Sequence, residues 1–323
     1  SANVDIYENQ VKSKDKSPYH IGDNYDKERF EGMACLSARW KPAECLAVAV
    51  CLREEMYGEN AVPVVPALFI DYVISKRWNL VAKASIARNY RYPSLDDLYF
   101  QPGGNPDLEP EHGFTYDGGV EFQIAWKCYL LKGNVVAFNS YIDDWILWTP
   151  NTKGFWQPSN VREVHNYGVE MTTDNMFVLS KNAKLNISGN FAWTSSKNYG
   201  ERNNSNDASY GKQLCYIPEY SAAVTPRLLW KNWIFSYKWS YYSERFTTTS
   251  NEVSYITGRL KPYYMSDLSI EKRFSWKWVE LSVKGIVNNL FGSEYVTVLS
   301  RPMPRRNCEL FLEIRPKFFG KKQ

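Results

Sequence analysis

The sequence predicts an all-β fold built from about 14 long antiparallel strands. Three observations predict it. Apolar and polar residues alternate with a period of two, the alternating segments are long, and the connections between them are short and long in turn. No segment shows a convincing helical period, so the pattern predicts strands throughout.

The period of two is clearest in three segments. Apolar residues take every second position from Phe114 to Trp126, from Leu185 to Trp193 and from Cys308 to Ile314. Polar residues predominate at the positions between them. Because successive side chains of a strand point to opposite faces of a sheet, one face of the predicted sheet is apolar and the other is polar.

The alternating segments are longer than the strands of most globular proteins, which average roughly 5 to 6 residues. The longest predicted strands cover residues 113–126, 162–178, 212–229 and 261–274. A tilted strand needs about 9 to 11 residues to cross a bilayer. These strands can therefore span a membrane and project beyond it.

The connections differ in chemistry as well as in length. Six short ones each contain Lys or Arg, and five of them contain Trp: 39–44, 75–79, 126–128, 179–184, 230–233 and 275–278. Between them lie longer polar connections at 91–112, 147–161, 196–211, 244–261 and 291–305, and a short one near 58–61. Alternate connections of an antiparallel meander lie at opposite ends of the sheet. Short periplasmic turns, long outer loops and aromatic girdles are typical of an outer-membrane β-barrel.

Composition agrees with a protein that meets both water and lipid. Aromatic residues make up 16% of the 323 residues, and the net charge of +4 is too small to indicate a nucleic-acid partner. A soluble barrel or a propeller is the alternative, because the Trp-Lys turns recur at a spacing comparable to propeller blades. Long strands without a repeated Gly-His or Trp-Asp motif favour the membrane barrel.

Three segments carry a resemblance to a known family. "RNYRYPSLDDLYFQPGGNPDLEPE" (88–111) contains an arginine-x-proline and an asparagine-proline-x-leucine box, "VHNYGVEM" (164–171) a tyrosine/glycine/glutamate strand, and "VNNLFGSEYVTVLSRPMPRRNCELFLEI" (287–314) a last hairpin. In this order they resemble the TonB-dependent outer-membrane receptors of Gram-negative bacteria.

The resemblance implies a barrel of 22 strands that encloses a plug domain. We expect residues 1–323 to form a single domain, the C-terminal portion of that barrel, with the plug absent from this chain. Counting back from the C-terminus makes the strand at 78–90 the thirteenth of the whole barrel. This is the strand that precedes the arginine–proline box in the family, so the segment at 91–112 is expected to be an extracellular loop.

The implied function is TonB-dependent uptake of a large, scarce nutrient such as cobalamin, a ferric siderophore or haem. Haem receptors of this type place a histidine between the two boxes, whereas none lies between Arg91 and Leu108 in this sequence, and His112 follows. The segment looks most like the cobalamin branch. The implied partners are a large metal-chelate substrate, the inner-membrane TonB complex acting through the plug, a surface lipoprotein and the lipid bilayer.

Seven residues of the long loops are predicted to bind the ligand. They are Tyr92, Tyr99, Phe100, Asn105, Asp107, Phe155 and Trp156. Flat aromatic faces suit a large ligand, and the polar groups suit its amides. As the alternative, the neighbouring prolines and glycines fix the loop and the tyrosines only pack it. Trp145 and Trp148 are predicted to be girdle aromatics at the membrane edge.

The sequence predicts no catalytic residue, no metal ligand and no cofactor. It lacks a G-x-S-x-G motif, and His20, His112 and His165 are scattered. The adjacent carboxylates at 96–97 and 143–144 are interpreted as loop or strand-end residues. The six cysteines are interpreted as small hydrophobic residues that are buried or face lipid. A passive pore or a surface-binding barrel without energised transport is the alternative function.

Overall fold

The computed structural model describes residues 1–14, 25–150, 155–200, 208–253, 257–301 and 303–317. Within these residues, 14 long strands follow one another in an antiparallel sheet, each hydrogen-bonded to the strands before and after it. The first is β1 (Ala2–Ser13) and the last is β17 (Asn307–Pro316). The predicted fold class and strand number are confirmed. His20 lies outside the described residues.

In chain order, the other elements are β2 (Tyr25–Ala43), β3 (Leu46–Tyr57), β4 (Asn60–Ala61), β5 (Val65–Ser75), β6 (Leu80–Arg91), α1 (Leu95–Tyr99), β7 (Glu111–Trp126), β8 (Tyr129–Pro150), β9 (Trp156–Ser180), β10 (Ala183–Asn198), β11 (Tyr220–Trp230), β12 (Trp233–Tyr242), β13 (Arg245–Phe246), β14 (Arg259–Leu260), β15 (Tyr263–Ser275) and β16 (Val279–Asn288). The short strand β4 pairs with β3, and β13 pairs with β14 in a separate ladder. Among the described residues no pairing joins β1 to β17, so these two strands form the edges of the sheet.

The pairing register carries the two faces from strand to strand. Val120 lies opposite Val135, whereas the next residue, Glu121, lies opposite Asn134. On the polar face Ser85 Oγ donates to Asp117 Oδ2 at 2.8 Å. On the apolar face large side chains are left uncovered: Leu310 is 78% exposed. An uncovered apolar face opposite a hydrogen-bonded polar one is the arrangement of a membrane barrel wall.

One end of the sheet, the short-turn end, carries the six predicted short turns. Five lie at the predicted positions, whereas the turn predicted at 39–44 lies at residues 44–45, because β2 continues to Ala43. Three of these turns contain a residue other than glycine with a positive φ: Asn79 (42°), Lys127 (46°) and Lys231 (52°). Basic side chains lie over aromatic rings there, as Lys272 Nζ does at 4.4 Å from the Trp233 ring centroid. This end therefore has the mixed aromatic and basic character of a membrane–water boundary.

Buried residues concentrate at the opposite end, the long-loop end. The only buried hydrophobic cluster found among the described residues consists of Leu98, Leu108 and Ile146, with Tyr99 packed against it. No helix in the described ranges is long and apolar enough to cross a membrane. The buried residues therefore lie mainly where the loops pack against the sheet.

The structure corrects three further predictions at the long-loop end. The strand predicted at 212–229 begins only at Tyr220, after Pro218, because residues 213–215 fold back and Gln213 bridges to Lys197 of β10. The connection predicted at 147–161 is shorter, since β8 reaches Pro150 and β9 starts at Trp156. The segment "LDDLY" forms α1, a helix of 5 residues that is too short to show a helical period.

Candidate functional site

The loop of residues 92–110 connects β6 to β7 and folds onto the polar face at the long-loop end. On one side Arg29 of β2 donates from Nη1 to the carbonyl oxygen of Pro93 at 2.7 Å. On the other side Asn105 Nδ2 donates to the carbonyl oxygen of Pro158 in β9 at 3.3 Å. The loop therefore lies across several strands and is held at both sides.

Helix α1 starts the loop with a capping box. The amide of Asp97 donates to Ser94 Oγ at 3.1 Å, and the amide of Ser94 donates to Asp97 Oδ2 at 3.0 Å. A serine followed three residues later by an acidic residue satisfies two amides that the first turn leaves free. This reciprocal pair explains why so short a segment becomes helical.

Asp97 has a second role as the point where the loop is fastened to the wall. Its Oδ2 lies 2.9 Å from Nη2 of Arg91, and its Oδ1 accepts a hydrogen bond of 2.8 Å from Nε1 of Trp148. Burial alone would raise the pKa of Asp97, but the bonds from Trp148 and Ser94, with the charge of Arg91, outweigh it and lower the pKa below the usual 3.8. The carboxylate is therefore ionised in spite of its burial.

Arg91 joins this carboxylate to a second one. Its Nη1 donates to Glu111 Oε1 at 2.6 Å, and the same oxygen accepts the backbone amide of Ile146 at 2.8 Å. The network thus ties together the last residue of β6, the first residue of β7 and the outer part of β8. Charge-assisted bonds of this kind are the stronger ones in proteins.

The asparagine-proline-x-leucine box closes the other half of the loop. Asn105 Oδ1 accepts the amide of Asp107 at 3.1 Å, while the amide of Asn105 donates to the carbonyl of Asp97 at 2.8 Å. Asn160 of β9 continues the fastening, because its Oδ1 accepts the amide of Glu109 at 3.0 Å. Leu108, the last residue of the box, enters the buried cluster. Asn105 and Leu108 of the box therefore help to fix the shape of the loop.

Gly103 allows the loop to approach β9 closely. Its φ is +150°, and a Cβ at this position would collide with the carbonyl oxygen of Trp156. Only glycine adopts such a conformation at low cost, and only glycine leaves room for that carbonyl. The tip of the loop therefore reaches the first residue of β9.

The predicted binding residues fall into two groups. Tyr92 stacks on Tyr57 with ring centroids 5.0 Å apart, the Arg29 guanidinium carbon lies 5.1 and 5.2 Å from the two centroids, and Asn60 Nδ2 donates to the Tyr92 hydroxyl at 3.1 Å. Tyr99 packs on the buried cluster, with Lys27 Nζ 4.9 Å from its ring centroid. These two tyrosines hold the loop on the wall.

The second group consists of Phe100, Phe155, Trp156 and Asp107. Phe100 is 42% exposed and meets Trp148 edge-on at 5.9 Å, and Phe155 is 38% exposed. Trp156 lies 5.7 Å from the ring of Tyr216, and Asp107 is exposed. The contacts of Gly103 and Asn105 with β9 bring Phe100 and Trp156 to the same part of the polar face.

Sequence reasoning missed Arg91 and Glu111, and it assigned Trp148 to the girdle. The girdle assignment of Trp148 is wrong, because its indole bonds to Asp97 on the polar face. The Ser94-x-x-Asp97 spacing was the available signal for a capped turn. No local pattern announces a bond between residues as far apart in sequence as Asp97 and Trp148.

A second enclosed region lies at the long-loop end of β12 and β15. Arg245, 4% exposed, donates from Nη2 to the carbonyl oxygen of Val296 at 3.1 Å, and its guanidinium lies 4.8 Å from the Tyr263 ring centroid. The ring of Tyr263 stacks on that of Tyr242, with centroids 5.1 Å apart, and is tilted against that of Tyr295, with centroids 5.0 Å apart. A cavity of about 500 Å³ opens beside this stack, between residues 257–263 and 293–305.

Comparison with known proteins decides the family. Residues 57–290 match the family described as TonB dependent receptor-like, beta-barrel. The chain belongs to this family. TonB-dependent receptors are outer-membrane proteins of Gram-negative bacteria, so the apolar face of the sheet is the lipid face and the polar face lines the barrel interior.

Two curated relatives share the name Vitamin B12 transporter BtuB. The protein of Photobacterium profundum is 25% identical over 235 residues, which are 69% of this chain and 34% of that protein. The protein of Vibrio vulnificus is 29% identical over 89 residues, which are 27% of this chain and 14% of that protein. The matched part of the chain thus spans about a third or less of the length of these relatives.

Solved TonB-dependent receptors show the same fold. The copper transporter OprC has a TM-score of 0.66 at 17% identity, covering 97% of this chain and 53% of that one. A ferric enterobactin receptor of Pseudomonas aeruginosa has a TM-score of 0.64 at 17% identity, covering 90% and 45%. The siderophore receptor PirA of Acinetobacter baumannii has a TM-score of 0.63 at 14% identity, covering 97% and 51%.

Proposed function

We propose that this chain supplies the barrel wall and the extracellular binding loops of a receptor that takes up a large, scarce metal chelate. In this proposal residues 1–323 are the C-terminal portion of the barrel, with the long-loop end outside the cell and the short-turn end in the periplasm. The inner-membrane TonB complex provides the energy by acting through a plug domain. Membership of the family supports the assignment of the barrel and of TonB as the energising partner.

The observation that carries the proposal is the fastening of the loop of residues 92–110. Asp97 and Glu111, each under 10% exposed, bind Arg91 and thereby fix the loop on the polar face. A rigidly held loop presents Phe100 with a smaller loss of conformational entropy at the moment of binding. An exposed aromatic ring on a fixed support suits a ligand that is large and has apolar faces.

We favour cobalamin as the substrate. The relatives from Photobacterium profundum and Vibrio vulnificus are both named as vitamin B12 transporters, and the interval from Arg91 to Leu108 lacks the histidine expected of a haem receptor. Phe100 and Trp156 would cover apolar faces of the ligand, and the exposed Asp107 would meet its amides. Because the side chain of Asn105 already bonds to Pro158 and Asp107, its part in binding is to shape the loop.

Phe155 is assigned to the outermost contact, with the ligand or with a surface lipoprotein that covers the opening. A cross-link between a photoreactive group at position 155 and a lipoprotein, in intact cells, would support this partner.

The names of the relatives are those of transporters and receptors, which supports a function without catalytic residues.

Growth under nutrient limitation tests the substrate. A deletion strain is complemented with the full-length gene and supplied with limiting cobalamin, haem or a ferric siderophore. We expect the gene to restore growth on cobalamin alone, and Phe100→Ala to raise the concentration required. Restoration on a siderophore alone would correct the substrate and keep the uptake function. Equal growth with and without the gene on all three would reject uptake in favour of a passive or surface-binding barrel.

A further inference from the structure

Two cysteine side chains meet on the polar face between β2 and β3. The Sγ atoms of Cys35 and Cys51 are 3.1 Å apart. In the register of these strands Cys51 lies opposite Ser37, and Cys35 lies opposite Arg53. The two cysteines are therefore diagonal neighbours on one face, and their side chains point towards each other closely enough for the sulfur atoms to meet.

The backbone around this pair is held in place on both sides. The ladder of β2 and β3 is continuous from Glu31 to Trp40, and β1 and β5 flank it through the pairs of Asn3 with Cys35 and of Cys51 with Ala67. The paired strands hold the two sulfur atoms next to each other, 3.1 Å apart. A disulfide requires this kind of pre-existing proximity.

We propose that Cys35 and Cys51 form a disulfide bond when the protein passes through the periplasm. Each thiol loses its proton and the sulfur atoms join, with the loss of two electrons in total. A disulfide of a periplasmic thiol oxidant accepts these electrons and the two protons, and becomes a dithiol. The bacterial periplasm is an oxidising compartment in which such exchange proceeds.

The remaining cysteines lack this arrangement. Cys45 and Cys128 lie at turns of the short-turn end, and Cys308 lies opposite Val287 on the lipid face. Cys215 is buried in the segment before β11, where burial raises the pKa of its thiol to about 11 and keeps it protonated. The thiolate is the reactive form, so the raised pKa makes Cys215 less reactive than an ordinary thiol.

The bond would lock the register of β2 against β3. Arg29 of β2 lies beside the stacked rings of Tyr57 and Tyr92, and it also donates to the carbonyl oxygen of Pro93. A slip of one residue would turn every side chain of β2 to the other face. The disulfide would thus keep Arg29 on the side where it holds the loop of residues 92–110. This inference requires only that the chain crosses the periplasm, and it does not depend on the substrate.

Thiol trapping in cells tests the proposal on the full-length protein. Cells are quenched with acid, free thiols are alkylated under denaturing conditions, and the digest is analysed by mass spectrometry without reduction. We expect the peptides of Cys35 and Cys51 to appear linked, lighter than their sum by two hydrogens, and to separate on reduction. Complete alkylation of both cysteines would overturn the proposal, as would recovery of both thiols with a bound soft metal ion.

Matched variants make the result specific. Cys35→Ser should leave Cys51 fully alkylated, whereas Cys45→Ser should leave the linked peptide unchanged. In a strain that lacks the periplasmic thiol oxidant, the linked fraction should fall severalfold. Because the wild-type digest already gives a positive or a negative answer, the test does not depend on any variant folding.

Discussion

The indole Nε1 of Trp148 donates a hydrogen bond of 2.8 Å to Oδ1 of Asp97. Trp148 belongs to β8 and Asp97 to α1, so this bond joins the loop of residues 92–110 to the barrel wall. The other carboxylate oxygen lies 2.9 Å from Arg91. Because Asp97 is only 4% exposed, water cannot take the place of Trp148 or Arg91 when either of these hydrogen-bond partners is removed.

Replacing Asp97 by Asn should loosen the loop while leaving the wall intact. The variant keeps the size of the side chain but loses the charge that pairs with Arg91. Hydrogen bonds to charged groups contribute about 1.5–3 kcal/mol, so hydrogen exchange of the amides at 94–105 should accelerate roughly tenfold or more. Asp96→Asn is the matched control, since Asp96 is adjacent but exposed. Unchanged exchange in the Asp97 variant would show that the network does not hold the loop.

The same carboxylate predicts an acid-sensitive loop. The folded-state pKa of Asp97 lies below its usual 3.8, so its stabilising effect is complete above that value and is lost as the pH falls through the folded pKa. We expect loop exchange, corrected for intrinsic rates, to be constant from pH 5 to 8 and to rise below about pH 4. The Asp97→Asn variant should lack this rise. A wild-type rise centred near pH 6 would point to a different group.

The wall was predictable from sequence because it obeys a local rule. Alternation such as that from Phe114 to Trp126 assigns each residue to a face without knowledge of its neighbours. Each short turn also depends only on residues close in sequence, since the turn at Lys127 requires only that this residue adopt a positive φ. These features set the strand count, the order of the strands and the positions of five of the six short turns.

The loops were predicted less well because their structure depends on distant partners. Residues 213–215 looked like part of a strand, but Gln213 accepts the amide of Ser196 and exchanges bonds with Asn251. Trp148 is of the residue type expected in an aromatic girdle, but the hydrogen bond from its indole to Asp97 places it on the polar face. Such bonds are decided by the tertiary fold, so neither periodicity nor composition contains them.

Gly103→Ala should displace the tip of the loop. A methyl group at this position would meet the carbonyl of Trp156, and alanine is strained at a φ of +150°. We expect ligand affinity to fall by roughly tenfold or more, because backbone strain of this kind costs about 1–3 kcal/mol. Gly118→Ala on the lipid face, where a Cβ meets no atom within 4 Å, should leave affinity unchanged. Equal affinity of the Gly103 variant would place the binding surface elsewhere.

Binding measurements should separate Phe100 from Tyr92. Phe100→Ala removes an exposed ring and should weaken cobalamin binding by the full-length receptor, with loop exchange unchanged. Tyr92→Ala removes the stack on Tyr57 and the contact with Arg29, so loop exchange should accelerate together with any loss of affinity. Titration calorimetry and hydrogen exchange on the same samples give both quantities. A loss of affinity without faster exchange in the Tyr92 variant would show direct contact with the ligand.

Two variants of β11, each with a lysine on one of its two faces, test which face meets lipid and which lines the interior. Val224 lies opposite Gly189 and Trp239, whereas the next-door Ala223 lies opposite Asn190 and Ser240. A basic side chain near the bilayer midplane of a barrel costs about 2–4 kcal/mol on the lipid face. Val224→Lys should therefore lower the free energy of unfolding in lipid vesicles by that amount. Ala223→Lys should cost much less, because a lysine on the polar face keeps its contact with water and polar groups. If the two variants were equally destabilised, or if Ala223→Lys were the worse of the two, the polar face would not line the interior of the barrel.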